Sequence, residues 1–394
     1  MLLSLLIAFS FVACKNEPVV PEEPKVPENA VKVVDVEKLE TLLTSEDEAV
    51  IALDEDIKLI AAITIKGTKT LYLNDHVLDL DGKTIAPETD SSLSDAKKIR
   101  GGLLVDNDAK LTINGNGEVK STKGLIAIND KGEVIVNGGK FTTGFNAPTI
   151  CVRGKLTVND GELHSDDHST LYLVSGCEAT VNGGKLYSDN ETIVININGS
   201  LKEGLKLNIT GGEFYGTIYF AGNTTTKISG GKFVCTKDNV PIYIKSGFIN
   251  ITGGEFIGLE KKEHGVDYVY WGSGYFALNG DIIVDFCGYP GGAPAVNVEN
   301  AKLTSGIYLY DNPEKADAYK GRVTTEYEVN ECTEFTHKKA LSFKIGTSPY
   351  SVTLFFKTEA RADAFTEELA KQFCIDNGVN YSTLGAKEKV VPVK

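Results

Sequence analysis

Between residues 113 and 256 the apolar positions follow a repeating cadence. A β-branched residue is followed by a small polar residue, a glycine turn, a charged residue and a large apolar residue. Copies read Ile-Asn-Gly-Asn-Gly-Glu-Val at 113–119, Val-Asn-Gly-Gly-Lys-Phe at 136–141 and Val-Asn-Asp-Gly-Glu-Leu at 158–163. Further copies start at 181, 209, 228 and 251, and the last is Ile-Thr-Gly-Gly-Glu-Phe. Their final glycines fall at 117, 139, 161, 184, 212, 231 and 254, so the period is 22, 22, 23, 28, 19 and 23 residues. Seven copies at such a period indicate a solenoid rather than a chain of unrelated elements. Each copy reads strand, tight turn, strand, with glycine supplying the bend. A further alternating run lies upstream of most turns: Ile150-Cys151-Val152, Leu171-Tyr172-Leu173, Ile193-Val194-Ile195, Ile218-Tyr219-Phe220 and Ile242-Tyr243-Ile244. Two or three short strands per period, with no helical spacing, predict a parallel β-solenoid.

Stacking turns the repeats into columns. The inward column is Val119, Phe141, Leu163, Leu186, Phe214, Phe233 and Phe256. At the turn lie Asn114, Asn137, Asn159, Asn182, Thr210, Ser229 and Thr252, whose side chains can bond along the axis. One position before the apolar column, Glu118, Lys140, Glu162, Lys185, Glu213, Lys232 and Glu255 alternate in sign without a break. Opposite charges one coil apart favour a single register, so this ladder reads as an alignment device and not as a set of catalytic carboxylates. At the N-terminal end Asp35 caps a predicted short helix to about Leu43, with Val36, Leu39, Leu42 and Leu43 as its apolar face, covering an open edge. Residues 87–101 read as a polar loop and 260–280 as an irregular aromatic insertion. From about 320 the texture changes to strands near 340–346 and 351–357. A helix over about 359–376 follows, capped by Thr358, with Ala364, Phe365, Leu369 and Phe373 as its stripe. The resulting division is a β-helix over 31–310 and a C-terminal cap or small α+β region over 311–394.

The first 13 residues carry no charge, and Leu2 to Val12 are almost wholly apolar. This run is too short to span a bilayer but suits a signal-peptide core. It resembles a bacterial lipoprotein signal over 1–13, with Cys14 as the lipidated residue, although the usual positive start is missing. Residues 14–30 then carry Pro18, Pro21, Pro24 and Pro27, a spacing that favours an extended tether. The resemblance implies a lipid-anchored protein of the bacterial cell envelope, at the outer membrane or cell surface, and Lys15 resembles residues that permit outer-membrane sorting.

Composition narrows the partners. The chain has 394 residues, 42 % of them hydrophobic, so a large core is expected. Its net charge of −14 argues against nucleic acid, which needs a basic footprint. Besides Cys14 there are six cysteines, at 151, 177, 235, 287, 332 and 374. They form no Cys-x-x-Cys pair, and their even number permits disulfides in an exported protein. Cys151, Cys177 and Cys235 occupy different places in their coils and read mainly as small buried hydrophobes.

The coil motifs over roughly 31–310 resemble the pectin-lyase-like right-handed parallel β-helix superfamily, and more narrowly bacterial surface lipoproteins with ITGGxF/VNGGxF coils. That resemblance implies an all-β, right-handed parallel β-helix with a short N-terminal helical cap and a small C-terminal α+β segment. Activity must still be argued from a site. Inverting hydrolases of the superfamily carry Asn-Thr-Asp, Asp-Asp, Gly-His-Gly and Arg-Ile-Lys motifs; only Asp166-Asp167 is present. The family's calcium-dependent lyases need an aspartate cluster and a base on one sheet. The corresponding outward column, Ala127, Cys151, Tyr172, Val194, Tyr219 and Tyr243, supplies neither. No cofactor is indicated; calcium is left open by the resemblance, without residues that call for it.

The best catalytic candidates are His164, Asp166, Asp167 and His168, two histidines and two carboxylates able to act as acid, base or metal ligands. A polar loop between coils is the competing reading, and no metal is assigned. The aromatic residues suit sugar stacking or protein contact: Tyr172, Tyr219 and Tyr243 on one column, Tyr187 and Tyr215 on another, and Trp271 in the insertion. The expected function is a non-catalytic, adhesin-like cell-surface protein binding a polysaccharide or a host or cell-surface protein. The alternatives are a divergent polysaccharide lyase or glycoside hydrolase, and a structural surface-layer protein.

Overall fold

In the computed structural model the described residues are 25–85, 101–144, 147–166, 168–174, 176–189, 193–198, 204–235, 240–258, 265–270, 280–286, 288–310, 321–330 and 335–391. Cys14, Asp167, Trp271, Cys287 and Cys332, with the predicted signal, most of the tether and nearly all of the 87–101 loop, lie outside them.

The chain winds into a parallel β-solenoid of three strand stacks. Two stacks flank the glycine turn and merge into one 20-stranded sheet; the third forms an 11-stranded sheet, one strand per coil. The merger occurs where Glu133–Thr143 and Lys155–Ser165 run through the turn as continuous bent strands. Solenoid pairing continues through Val323–Thr325 and Val329–Asn330, past the expected boundary at 310. The reason is that these strands are short and half exposed, and lack the apolar signature of the earlier coils.

All seven inward column residues are fully buried. Phe214, Phe233 and Phe256 stack face to face, with centroids 4.8 and 4.6 Å apart and planes within 7°. Each ring fills the layer between coils, and burying one contributes about 1.5–3 kcal/mol. The turn asparagines form the axial chain that their spacing predicts. Asn137 donates to Asn114 at 2.8 Å, Asn159 to Asn137 at 2.7 Å, Asn182 to Asn159 at 2.8 Å and Thr210 to Asn182 at 2.8 Å.

The Glu/Lys ladder pairs in register from Glu118 to Glu255 and extends to Lys302 across the long insertion. A second alternating ladder lies on the first stack: Lys110, Glu133, Lys155, Glu178 and Lys206. Lys110 lies 2.9 Å from Glu133, and Lys206 lies 2.7 Å from Glu178, whose carboxyl is held below its usual range by that hydrogen bond. These exposed pairs are worth tenths of a kcal/mol each. Their effect is on register, because a coil that slips meets its own charge.

The N-terminal helix spans Val36–Thr44, with the Asp35 side chain accepting from the Lys38 backbone N–H at 2.8 Å. Leu39 and Leu43 are its buried anchors. At the far end an antiparallel sheet is built from His337–Ile345, Ser348–Phe356, Asn380–Leu384 and Glu388–Lys389. The single helix expected over 359–376 is two helices, Glu359–Ala364 and Glu367–Asp376. Phe365 leaves helical geometry at the break and buries its ring. This shifts the phase, so Ala362, Phe365, Ala370 and Phe373 form the core while Leu369 faces solvent.

The aromatic insertion supplies strand Tyr268–Tyr270, which pairs antiparallel with Ser348–Phe356. Its Asp267 accepts from Arg361 Nε and from the Lys357 backbone N–H, both at 2.8 Å. A segment that leaves the solenoid at 258 therefore becomes an edge strand of the terminal sheet, and ties the two together.

Cys151, Cys177, Cys235 and Cys374 are buried thiols, which fits the reading of the first three as small hydrophobes. Burial pushes Cys151 and Cys177 up to about 12, and Cys374 up to about 11. The thiolate is the reactive form, so native protein at pH 8 should leave these three unmodified by a maleimide while unfolded protein is fully labelled. Peptide mapping after a timed pulse checks this; labelling of Cys151 in native protein would contradict its enclosure.

Candidate functional site

The outer faces of two stacks carry the predicted site residues, and the coils present them differently. On the third stack the true column runs Ala127, Cys151, Tyr172, Asn196, Tyr219, Tyr243, Ile283 and Tyr308. Asn196 replaces the expected Val194, because a bulge between Ile193 and Ile195 shifts the register; Val194 is buried in the core.

Much of this column is covered. Tyr172 is 6 % exposed and packs with Cys151 and Val174. Tyr243 is 2 % exposed, clustered with Val240, Ile283 and Tyr310 beneath Tyr268 and Tyr270 of the insertion. Its hydroxyl donates to Asp285 at 2.6 Å. Burial, and then the adjacent carboxylate, push that phenol far above its ordinary range. Tyr219 is half-buried, stacked 5.6 Å from Tyr243. The Lys245 ammonium lies 5.7 Å from both ring centroids and 4.0 Å from Asp285, which is itself 1 % exposed. Lys245 and Asp285 were not singled out by sequence reasoning. The available signal was Asp285 itself, a carboxylate on the outward side of Ile282–Asp285. In this setting the Tyr243 ring presents no open face to a ligand, and Tyr219 is only partly accessible.

The second stack is more open. Its outward column runs Thr142, His164, Tyr187 and Tyr215, all half-buried. The His164 and Tyr187 rings stack with centroids 4.4 Å apart and planes 19° apart. Lys185 sits 4.7 Å from the Tyr187 centroid and 5.6 Å from that of Tyr215, which continues the pile with a cation between rings. The Tyr187 hydroxyl donates to Glu162, and the Tyr215 hydroxyl donates to Glu213 at 2.8 Å. Both phenols are raised, Tyr187 mainly by burial and Tyr215 mainly by its hydrogen bond. Beside this pile the Gly-Gly turns line a shallow groove edged by Asp160, Glu162, Lys185, Glu213 and Lys232.

The His-Asp segment divides. His164 Nε2 lies 2.8 Å from Asp189 and its Nδ1 lies 3.8 Å from Asp166. His168 turns away, its Nδ1 accepting from the Ser169 backbone N–H at 2.8 Å and its ring tilting toward Tyr172. Asp189 comes from the next coil and joins His164 only through the coil register.

No helix among the described residues is long and apolar enough to cross a membrane. Fold and faces together define a parallel β-solenoid rod with an open polar-aromatic strip and a tied-on α+β unit. Comparison of the chain with family models, curated proteins and solved structures finds no match.

Proposed function

We propose that the protein is a non-catalytic binding rod, an adhesin-like lipoprotein held at the bacterial cell surface that contacts a polysaccharide through its second-stack face. One observation carries this reading. The strip His164–Tyr187–Tyr215, with Lys185 between its tyrosines, repeats one contact type at coil spacing on an open face. Such repetition suits a ligand that itself repeats, because linked weak contacts add through effective concentration. The edges of the rings, their hydroxyls and the flanking charges offer hydrogen bonds to sugar hydroxyls. The apolar–proline segment ending near residue 30 supports anchoring through Cys14. The stacked coils support kinship with the pectin-lyase-like superfamily.

The test is a retention screen of the purified protein on insoluble and arrayed glycans, with and without calcium, while soluble products are monitored. On a retained glycan, the pair Tyr187→Ala with Tyr215→Ala should weaken binding about tenfold or more, as expected for losing two anchor residues. Thermal unfolding of the double variant should remain cooperative. Full retention by this variant would remove the strip from the reading. Release of unsaturated or reducing sugar ends would replace binding by lyase or hydrolase activity.

A further inference from the structure

Throughout the two charge ladders, the coils avoid placing like charges one above another. The loop edge beside His164 breaks that rule. Ser165 pairs with Ser188, so the next residues, Asp166 and Asp189, are neighbouring carboxylates one coil apart. Among the described residues no lysine or arginine pairs with either; the imidazole of His164 stands between them. Donor atoms of His164, Asp166 and Asp189 all lie within 4.8 Å of one another.

We infer that His164, Asp166 and Asp189 form a binding site for a divalent first-row transition-metal ion such as zinc. One imidazole and two carboxylates are a borderline N/O donor set suited to such ions. The imidazole end is built rather than incidental. The His164 carbonyl accepts from the Thr149 hydroxyl at 2.7 Å and from the Thr143 hydroxyl at 3.2 Å, which pins its backbone. Its ring is held against Tyr187, with 13 % of the side chain exposed. The Asp166 backbone N–H is tied to Thr143 at 3.2 Å. Nε2 and the Asp189 oxygen are hydrogen-bonded to each other at 2.8 Å, and they need part only to roughly 3.0–3.5 Å to ligate one ion at about 2.0–2.2 Å from each. Asp166 is exposed, so rotation of its side chain closes the third position. Three protein ligands leave further coordination positions open toward solvent.

The experiment uses the purified full chain stripped with EDTA and then dialysed against zinc at micromolar concentration. Bound metal is counted, and a parallel thermal scan is run with and without zinc. The expected result is one zinc per chain and a higher unfolding temperature with zinc, because the ion binds only the assembled coils. His164→Ala and Asp189→Asn should each weaken binding at least tenfold and abolish the thermal shift. His168→Ala, which removes the neighbouring imidazole, should leave both unchanged. With cobalt in place of zinc, the visible absorption of an imidazole-ligated ion should be lost in His164→Ala. Both substitutions alter outward side chains, and the EDTA scan reports whether each variant is folded. Absence of saturable zinc or cobalt binding would overturn the inference, leaving His164 as a hydrogen-bond partner of Asp189. Equal binding by wild type and His164→Ala would also overturn it.

Discussion

Replacing Asp281 with alanine should destabilise the C-terminal coils by about 3–5 kcal/mol, the cost of orphaning several buried donors that now share a charged acceptor. Asp281 is fully buried. One carboxylate oxygen accepts from the Gly258 backbone N–H at 2.6 Å, and the other from Ser305 at 2.6 Å and Gly306 at 2.8 Å. The chain leaves the solenoid at Gly258 and re-enters at Gly280, while Ser305 and Gly306 belong to the following coil. A single side chain therefore closes the base of the long insertion and joins it to the next layer. Burial nevertheless raises this carboxyl above its usual range, outweighing the backbone donors. Asp281→Asn keeps one acceptor oxygen and removes the buried charge, so it should lose clearly less than alanine does. Amide hydrogen exchange is the suitable measurement, because a stacked array need not unfold as one unit. The alanine variant should lose protection over 242–258 and 282–310, with coils before 200 unchanged. Equal behaviour of the alanine and asparagine variants would show that the donors find other partners.

Gly183→Ala is the second large effect, at about 2–3 kcal/mol. A Cβ at 183 would sit 2.4 Å from the Asn159 carbonyl oxygen, a backbone atom that can move only if two coils part. The contact recurs at Gly211 with Asn182, Gly230 with Thr210 and Gly253 with Ser229, each at 2.4 or 2.5 Å. The first turn glycine is thus required by the neighbouring coil, whereas Gly184 is required both by the bend, with φ +83°, and by the Gly161 carbonyl oxygen 2.7 Å from where its Cβ would lie. Gly346→Ala is the control. It has φ +59° with nothing within 4 Å, so it carries only the left-handed backbone cost of about 1 kcal/mol. Local exchange around 159–184 and the denaturation midpoint would separate the two; an equal small loss would mean that the coils yield easily.

The sequence was most informative where every coil repeats the same chemistry. The phenylalanine pile, the asparagine chain and the second-stack charge ladder could be read because each is tied to the glycine turn, a marker visible in the chain. The first-stack ladder lacks such a marker. Glu178 and Lys206 are 28 residues apart because an insertion lies between them, and only the paired strands show that they are neighbours. Val194 was misplaced, and Asn196 missed, for a related reason: a bulge looks like ordinary alternation. Asp189 could not be joined to His164 without the register. Lys245 and Asp285 are separated by a segment that departs into another sheet. The helix break at Phe365 had a readable signal in Thr366-Glu367-Glu368, a second N-terminal capping pattern inside the expected helix. As for the candidate faces, the tyrosine columns were visible, but which of them stays open depended on where the insertion lands.

The alternating ladders also give the rod a parity. Duplicating one coil within either ladder would set lysine against lysine or glutamate against glutamate at the junction, on both stacks where the ladders overlap. Duplicating two coils would preserve every opposite-charge contact and lengthen the rod by about 10 Å, given the strand spacing. Such a molecule can therefore grow or shrink smoothly only in steps of two layers. Odd changes require a compensating charge reversal along the remainder of the column.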